Sequence, residues 1–133
     1  MAETKRKGDI GEAMIMADIL RRGYKIAIPW GEDWSFDLIA YRKNVFERVQ
    51  CKYIKSDGRA LHIPCRSINN WSIRKYTKND IDWLVAYDKT TNCCYYISSD
   101  ILGSGMSSIT LRFKKSKNNQ YKNIRWAEDF KEF

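Results

Sequence analysis

The stretch that decides the fold runs Phe36-Asp37-Leu38-Ile39-Ala40-Tyr41, breaks at Arg42-Lys43-Asn44, and resumes as Val45-Phe46-Glu47-Arg48-Val49-Gln50-Cys51-Lys52-Tyr53-Ile54. Both halves are rich in β-branched and aromatic residues and the break is short and polar, which predicts two strands of a hairpin. Side chains alternate across a strand, so Arg48, Gln50 and Lys52 fall on one face and Val49, Cys51 and Tyr53 on the other. Each polar residue alone has a plain use, as an edge charge that blocks sheet-to-sheet pairing or as a face turned to water. Together, an acid inside the apolar run at Asp37 and a Gln-x-Lys pair thirteen residues on are groups that can converge on one bound cation.

Working outward, the segment from Lys5 to Arg22 reads as a helix with Thr4 as N-cap and Gly23 at the C′ position. Ile10, Ala13, Met14, Ala17 and Leu20 repeat at helical spacing and are expected to form its core face. Glu12 then sits at the margin of an apolar surface, where a charge wants a partner. That partner is either Lys5 or Arg22, or a metal ion shared with Asp37. Gly8 and Gly11 each cost the helix about 1 kcal/mol against Ala, which suggests that a strand or a phosphate approaches the backbone there.

At these residues the chain resembles the PD-(D/E)XK nuclease superfamily, and within it the archaeal Holliday junction resolvases and the homing endonuclease of a cyanobacterial tRNA intron. The superfamily core is a helix carrying a Glu, a strand carrying an Asp and a strand carrying (Asp or Glu)-x-Lys, and those positions fall here on Glu12, Asp37 and Gln50-x-Lys52. There are two departures. Phe36 replaces the Pro before the Asp, and Gln50 replaces the third acid, a change also found in the cyanobacterial intron enzyme. The likeness covers Lys5 to about Ile54 well and the remainder loosely. It implies an α/β restriction-endonuclease-like core, with an N-terminal helix followed by a central mixed β-sheet and flanking helices. It further implies a magnesium-dependent DNA endonuclease, with Mn2+ as a substitute, that leaves a 5′-phosphate and a 3′-hydroxyl. Glu12, Asp37 and Gln50 would hold the metal, and Lys52 would orient the attacking water or stabilise developing charge. The Gln-x-Lys variant favours a site-specific, homing-type enzyme. The alternatives are a structure-specific junction resolvase and a non-catalytic DNA-binding module of the same fold.

Composition agrees with that direction. In 133 residues, 24 Lys and Arg face 16 Asp and Glu, a formal charge of +8, which points to a polyanionic partner such as double-stranded or branched DNA. The length is that of one domain, 1–133. The four cysteines, Cys51, Cys65, Cys93 and Cys94, include no Cys-x-x-Cys pair and have only His62 for company, against both zinc and a disulfide framework. His62 is also the one candidate base for a Ser or Cys hydrolase, and nothing around it resembles such a site. No apolar run approaches a membrane span and no secretory leader is evident, so a reducing, cytoplasmic location is expected.

In the rest of the chain, Tyr24 to Trp30, Ala60 to Cys65, Ile81 to Tyr87, Cys93 to Ser98 and Ile109 to Phe113 read as strands, and Ser98 to Leu102 as one helical turn. Glu32 and Asp33, near Asp37, are second choices as ligands. Between Arg66 and Asn79, Arg66, Arg74, Lys75 and Lys78 interleave with Trp71 and Tyr76 without an apolar stripe, giving either a DNA-contacting loop or short helix or an ordinary surface loop. Arg112, Lys114, Lys115 and Lys117 form a second basic segment suited to phosphates. Ile124 to Phe133 is expected to close the domain as a helix. Cutting two strands calls for two sites, so a homodimer or dimer of dimers is expected. Its contact would use Trp83, Tyr95 and Tyr96, unless these are simply buried within one chain.

Overall fold

The computed structural model describes residues 2–68, 72–113 and 124–133. A long helix, α1 (Glu3–Arg21), leads into strands β1 (Lys25–Ala27), β2 (Leu38–Arg42) and β3 (Val45–Ile54). Then come β4 (Ala60–Pro64), β5 (Arg66–Ile68), β6 (Ile73–Lys75), β7 (Trp83–Asp88) and β8 (Cys93–Ser98). A single helical turn, α2 (Ser99–Leu102), precedes β9 (Ser108–Arg112), β10 (Arg125–Trp126) and a 3-10 turn over Ala127–Phe130. No helix among the described residues is long and apolar enough to cross a membrane.

The hairpin forms as its residue pattern predicts, with a tighter loop. Lys43 and Asn44 both take positive φ, 52° and 63°, the type I′ geometry whose twist matches that of the flanking strands. Arg42 therefore stays within β2, opposite Val45. The hairpin is the middle of a five-stranded sheet ordered β1-β2-β3-β7-β8. All its pairings are antiparallel except β3 with β7, so the sheet is mixed and the expected fold class is the observed one. The single parallel pairing needs a crossover, and β4, β5 and β6 supply it.

The sheet is covered on both faces. On one, Ile15 and Ile19 of α1 pack with Leu38, Ala40, Val49, Val85, Tyr87 and Tyr96. On the other, Leu84, Ala86, Tyr95 and Ile97 meet Leu61, Ile63, Ile109 and Leu111 from a smaller sheet ordered β10-β9-β4. Strand β7 is consequently a near-continuous apolar run, as a strand buried on both faces must be. Tyr95 and Tyr96, 1% and 2% exposed, point to opposite faces and fill the two cores of one chain. They supply no surface for a dimer contact. Trp83 is half-buried and stands edge-on to Phe133, 5.2 Å away, with Tyr96 stacked on the same ring at 4.5 Å.

Three expectations change. The helix starts at Glu3 with Ala2 as an uncapped N-terminus, so Thr4 lies inside it. Its end is as expected: Gly23 takes φ 91°, and its N–H donates to the Leu20 carbonyl at 2.9 Å while that of Tyr24 donates to Ile19 at 3.3 Å, a Schellman closure. The core face is Gly11, Ile15 and Ile19, whereas Ile10 and Leu20 are 41% and 55% exposed. The helix is rotated because it sits down on β3 at Gly11, where an added Cβ would lie 3.0 Å from the Tyr53 Cβ. Finally, Arg125–Trp126 pairs in parallel with β9 and a 3-10 turn follows, in place of a closing helix. The pairing and the aromatic contacts of Phe133 override the local helical pattern.

The two helix glycines differ in a way that stability measurements can read. An Ala at position 11 meets the Tyr53 Cα at 3.2 Å and its N at 3.4 Å, backbone that a packed strand cannot withdraw. Gly11→Ala should therefore destabilise by about 1–3 kcal/mol as overpacking does. At Gly8 nothing lies within 4 Å, so Gly8→Ala should stabilise by up to about 1 kcal/mol. Urea unfolding of the two variants checks the opposite signs, and equal signs would contradict the seating of α1 on β3.

Candidate active site and nucleic-acid interface

Asp37 stands just ahead of β2, next to the Leu38–Val49 pair and thus beside Gln50. Its own N–H donates to the Val49 carbonyl at 2.9 Å, and the Cys51 N–H donates to its Oδ2 at 2.8 Å. The carboxylate is therefore held by the backbone of the hairpin. Burial raises its pKa above the ordinary 3.8, against the lowering pull of the Cys51 N–H and the Lys52 charge. Lys52 is the mirror case: burial lowers it, and Asp37 opposes that. Its ammonium donates to the Arg66 carbonyl at 3.3 Å and lies 5.3 Å from the Tyr76 ring centroid, so the ammonium is positioned from the β5 side.

Glu12 approaches from the helix layer. Its pKa is raised first by burial, then by the charge of Asp37 and that of Asp9. Neither cation suggested by the sequence forms an ion pair with it: Lys5, whose charge offsets only part of the rise, pairs with Asp9 at 3.7 Å, and Arg22 pairs with Asp18 at 2.9 Å. The Cys51 thiol, chiefly through burial and then through the charges of Asp37 and Glu12, is pushed well up. It stays protonated and is no thiolate ligand.

Asp37 and Gln50 open into a cleft of about 490 Å³. The loop before β2 lines it with Asp33, Trp34 and Ser35, and the β5–β6 region lines it with Ser67, Ser72, Arg74 and Tyr76. Asp33 thus borders the site it neighbours in sequence. Glu12 and Lys52 are not among the lining residues, although the charge of Lys52 acts on Asp37 and that of Asp37 on Glu12. The Gln50 amide nitrogen is 3.5 Å from the Cys51 carbonyl, too long to hold the side chain firmly.

Arg48 leaves the polar row that strand alternation suggests. Its guanidinium and N–H grip Asp82, at 3.1 and 2.7 Å, and it donates to the Asn79 and Lys78 carbonyls at 2.8 and 2.9 Å. It fixes the turn ahead of β7. Of the basic residues, Arg66 and Lys75 face one another across β5 and β6, and Arg74 donates to Asp80 while lining the cleft. Arg66–Ile68 and Ile73–Lys75 form a two-stranded ribbon in place of a loop or helix; Trp71 lies outside the described residues. Lys78 sits on the exposed turn after it. Arg112 ends β9 in the smaller sheet, opposite Ala60, and is not among the cleft residues. Lys114, Lys115 and Lys117 lie outside the described residues. Tyr76 and Arg74 as neighbours of Lys52 and Asp37 carried no sequence signal, because the contacts span more than twenty residues.

The donor set fits a hard divalent cation. Asp37, Glu12 and the Gln50 amide offer oxygen, and the charge of Asp37 raises Glu12 in a way that a cation would relieve. Among the described residues no three His, Cys, Asp or Glu side chains cluster around a metal position, and Gln50 is where a third acid would stand.

The raised carboxyl makes a pH-dependent prediction for the metal-free protein in EDTA. An acid whose folded pKa exceeds its unfolded value of 3.8 binds its proton more tightly when folded, so it destabilises the ionised protein and the penalty disappears as pH falls. Asp37→Asn should thus be more stable than wild type at pH 7, with the advantage fading as the pH drops through the raised value to below 3.8. Urea midpoints across that range decide it, and a less stable variant at pH 7 would count against the electrostatics described.

A search of curated protein sequences finds no match. Among solved structures, a bacterial homing endonuclease, I-Ssp6803I, superposes with a TM-score of 0.71 at 23% identity, over 97% of this chain and 88% of the other. At that identity the likeness shows the fold. The family model for the PD-(D/E)XK endonuclease matches residues 2–133, and the chain belongs to that family.

Proposed function

We propose that this family member is a magnesium-dependent, site-specific DNA endonuclease, with Mn2+ able to substitute. The observation that carries the reading is the convergence of Asp37, Gln50 and Lys52 on adjacent positions of one hairpin, with Glu12 close enough to be raised by Asp37. Glu12, Asp37 and the Gln50 carbonyl would hold the ion, which when bound lowers the pKa of a water and neutralises charge on a phosphate. Asp37 is oriented for that role by the Cys51 N–H. Lys52 would hold its positive charge beside the scissile phosphate, anchored by the Arg66 carbonyl and the Tyr76 ring. The product ends would be a 5′-phosphate and a 3′-hydroxyl.

The β5–β6 ribbon, with Arg66, Arg74 and Lys75, flanks the cleft and suits a DNA groove. Lys78 and Arg112, with Lys114, Lys115 and Lys117, would add phosphate contacts. The neighbour named a homing endonuclease supports the site-specific reading over that of a Holliday junction resolvase. The loss of a charge at Gln50 favours a second reading, a DNA-binding module of the same fold that does not cut. Two-strand cleavage by one site per chain calls for a homodimer or a dimer of dimers.

Asp37→Asn and Lys52→Ala should each abolish cleavage in magnesium while duplex binding stays within a few-fold of wild type. Cleavage by either variant at the wild-type rate would remove that residue from the site. Light scattering on the same wild-type samples should give a dimer or larger, and a monomer that makes double-strand cuts would refute the assembly. Binding by the wild type without any cleavage in magnesium or manganese would establish the non-catalytic reading instead.

A further inference from the structure

Trp34 occupies an unusual position: its indole lines the cleft together with Asp37 and Gln50, yet it remains 53% exposed. It is not loose. Its Nε1–H donates to the Trp30 carbonyl at 2.7 Å, across a loop bent by Gly31 and Asp33 at φ 90° and 66°. Its ring leans on Phe36, with centroids 5.4 Å apart and planes at 54°, and Phe36 packs against the core. The next residue, Ser35, donates its hydroxyl to the Asp80 carbonyl at 2.9 Å. An aromatic plane is thereby fixed, at the cost of leaving apolar surface in water, three residues from the central carboxylate.

We infer that Trp34 is a stacking platform for a nucleobase of the DNA strand lying in this cleft, next to the phosphate that Asp37 and Lys52 address. The inference rests on the endonuclease reading and adds the residue that engages the base. Continuity with the cleft identifies the occupant. A protein partner seated on Trp34 would cover Asp37 and Gln50, whereas a base arrives attached to the phosphate that those residues serve. Arg74 lines the same cleft and brings positive charge to the backbone of that strand. Every base has a π-face, so a base unstacked from its duplex neighbours at the cleft can use such a platform whatever its identity. Trp30, 94% exposed but outside the cleft lining, serves as the comparison.

The test uses the full chain carrying Asp37→Asn, in magnesium, so that a mixed-sequence duplex stays intact. Subtracting the emission of the added Trp34→Phe variant isolates the Trp34 fluorescence. That emission should be quenched, and shielded from acrylamide, when the duplex saturates the protein. Trp34→Ala should weaken binding roughly tenfold, the scale of one lost base–aromatic stack, with Trp34→Phe retaining most of the affinity and Trp30→Ala changing it less than Trp34→Ala. Unchanged Trp34 emission, wild-type affinity in Trp34→Ala, or no binding of duplex at all would overturn the inference. So would a Trp34→Ala variant that loses its oligomeric state in light scattering, since a second copy of the chain would then be the occupant. The endonuclease reading fails by a different result, namely a pool of randomised-sequence duplexes in which wild type cuts no member in magnesium or manganese while the Trp34 quenching persists.

Discussion

Alternation along β3 puts Val49, Cys51 and Tyr53 under α1, while Gln50 and Lys52 look to the opposite side of the sheet. A strand has only two faces, and here both are committed. The helix must come down close enough to bury the first, which is why Gly11, with no side chain, meets Tyr53. The second carries Gln50 and Lys52 at one end, where residues of the β5–β6 ribbon flank them. Shifting β3 by one residue would put Gln50 and Lys52 beneath the helix and Val49 into the cleft. The register of the hairpin, set by the two-residue turn at Lys43 and Asn44, is therefore also the register of the site.

The polar side of that arrangement is held at an energetic disadvantage. Burial raises Asp37 and Glu12 and lowers Lys52, so each of the three is pushed towards its neutral form. Elsewhere the fold treats buried acids differently. Asp88, fully buried, accepts from the Ser56 N–H and hydroxyl at 2.9 and 2.8 Å and from the Thr91 hydroxyl at 2.8 Å. Asp82 is held below its ordinary value by Arg48, although burial acts against that. Those acids have partners and build turns. Glu12 lacks an ion pair among the described residues and faces another carboxylate, the pattern expected where a site is set up to receive a cation.

The hairpin, and the facing of Gln50 and Lys52 away from Val49 and Cys51, were legible because period-two alternation and a short polar loop are local signals. The rotation of α1 was not. Its buried stripe begins at Gly11, which carries no hydrophobic weight, whereas Ile10 and Leu20 look like core residues and stand in solvent. Tyr95 and Tyr96 looked surplus to one core because the sequence does not announce that the sheet is covered on both faces. Arg48 was grouped with Gln50 and Lys52 by alternation, yet its contacts run to Asp82, far along the chain. The segment from Ile124 carries a helical pattern but ends as strand and 3-10 turn, where Phe133 stacks on Tyr96. In each case a long-range contact outweighed the local preference.

The central claim is that Glu12 and Asp37, from different layers, serve one cation together with Gln50. Titrating Mn2+ into the protein and following the free ion by electron paramagnetic resonance tests it without DNA and without turnover. The account predicts uptake by wild type, loss of most of that uptake in both Glu12→Gln and Asp37→Asn, retention in Lys52→Ala, and tighter uptake in Gln50→Glu. Wild-type uptake in both Glu12→Gln and Asp37→Asn would contradict it.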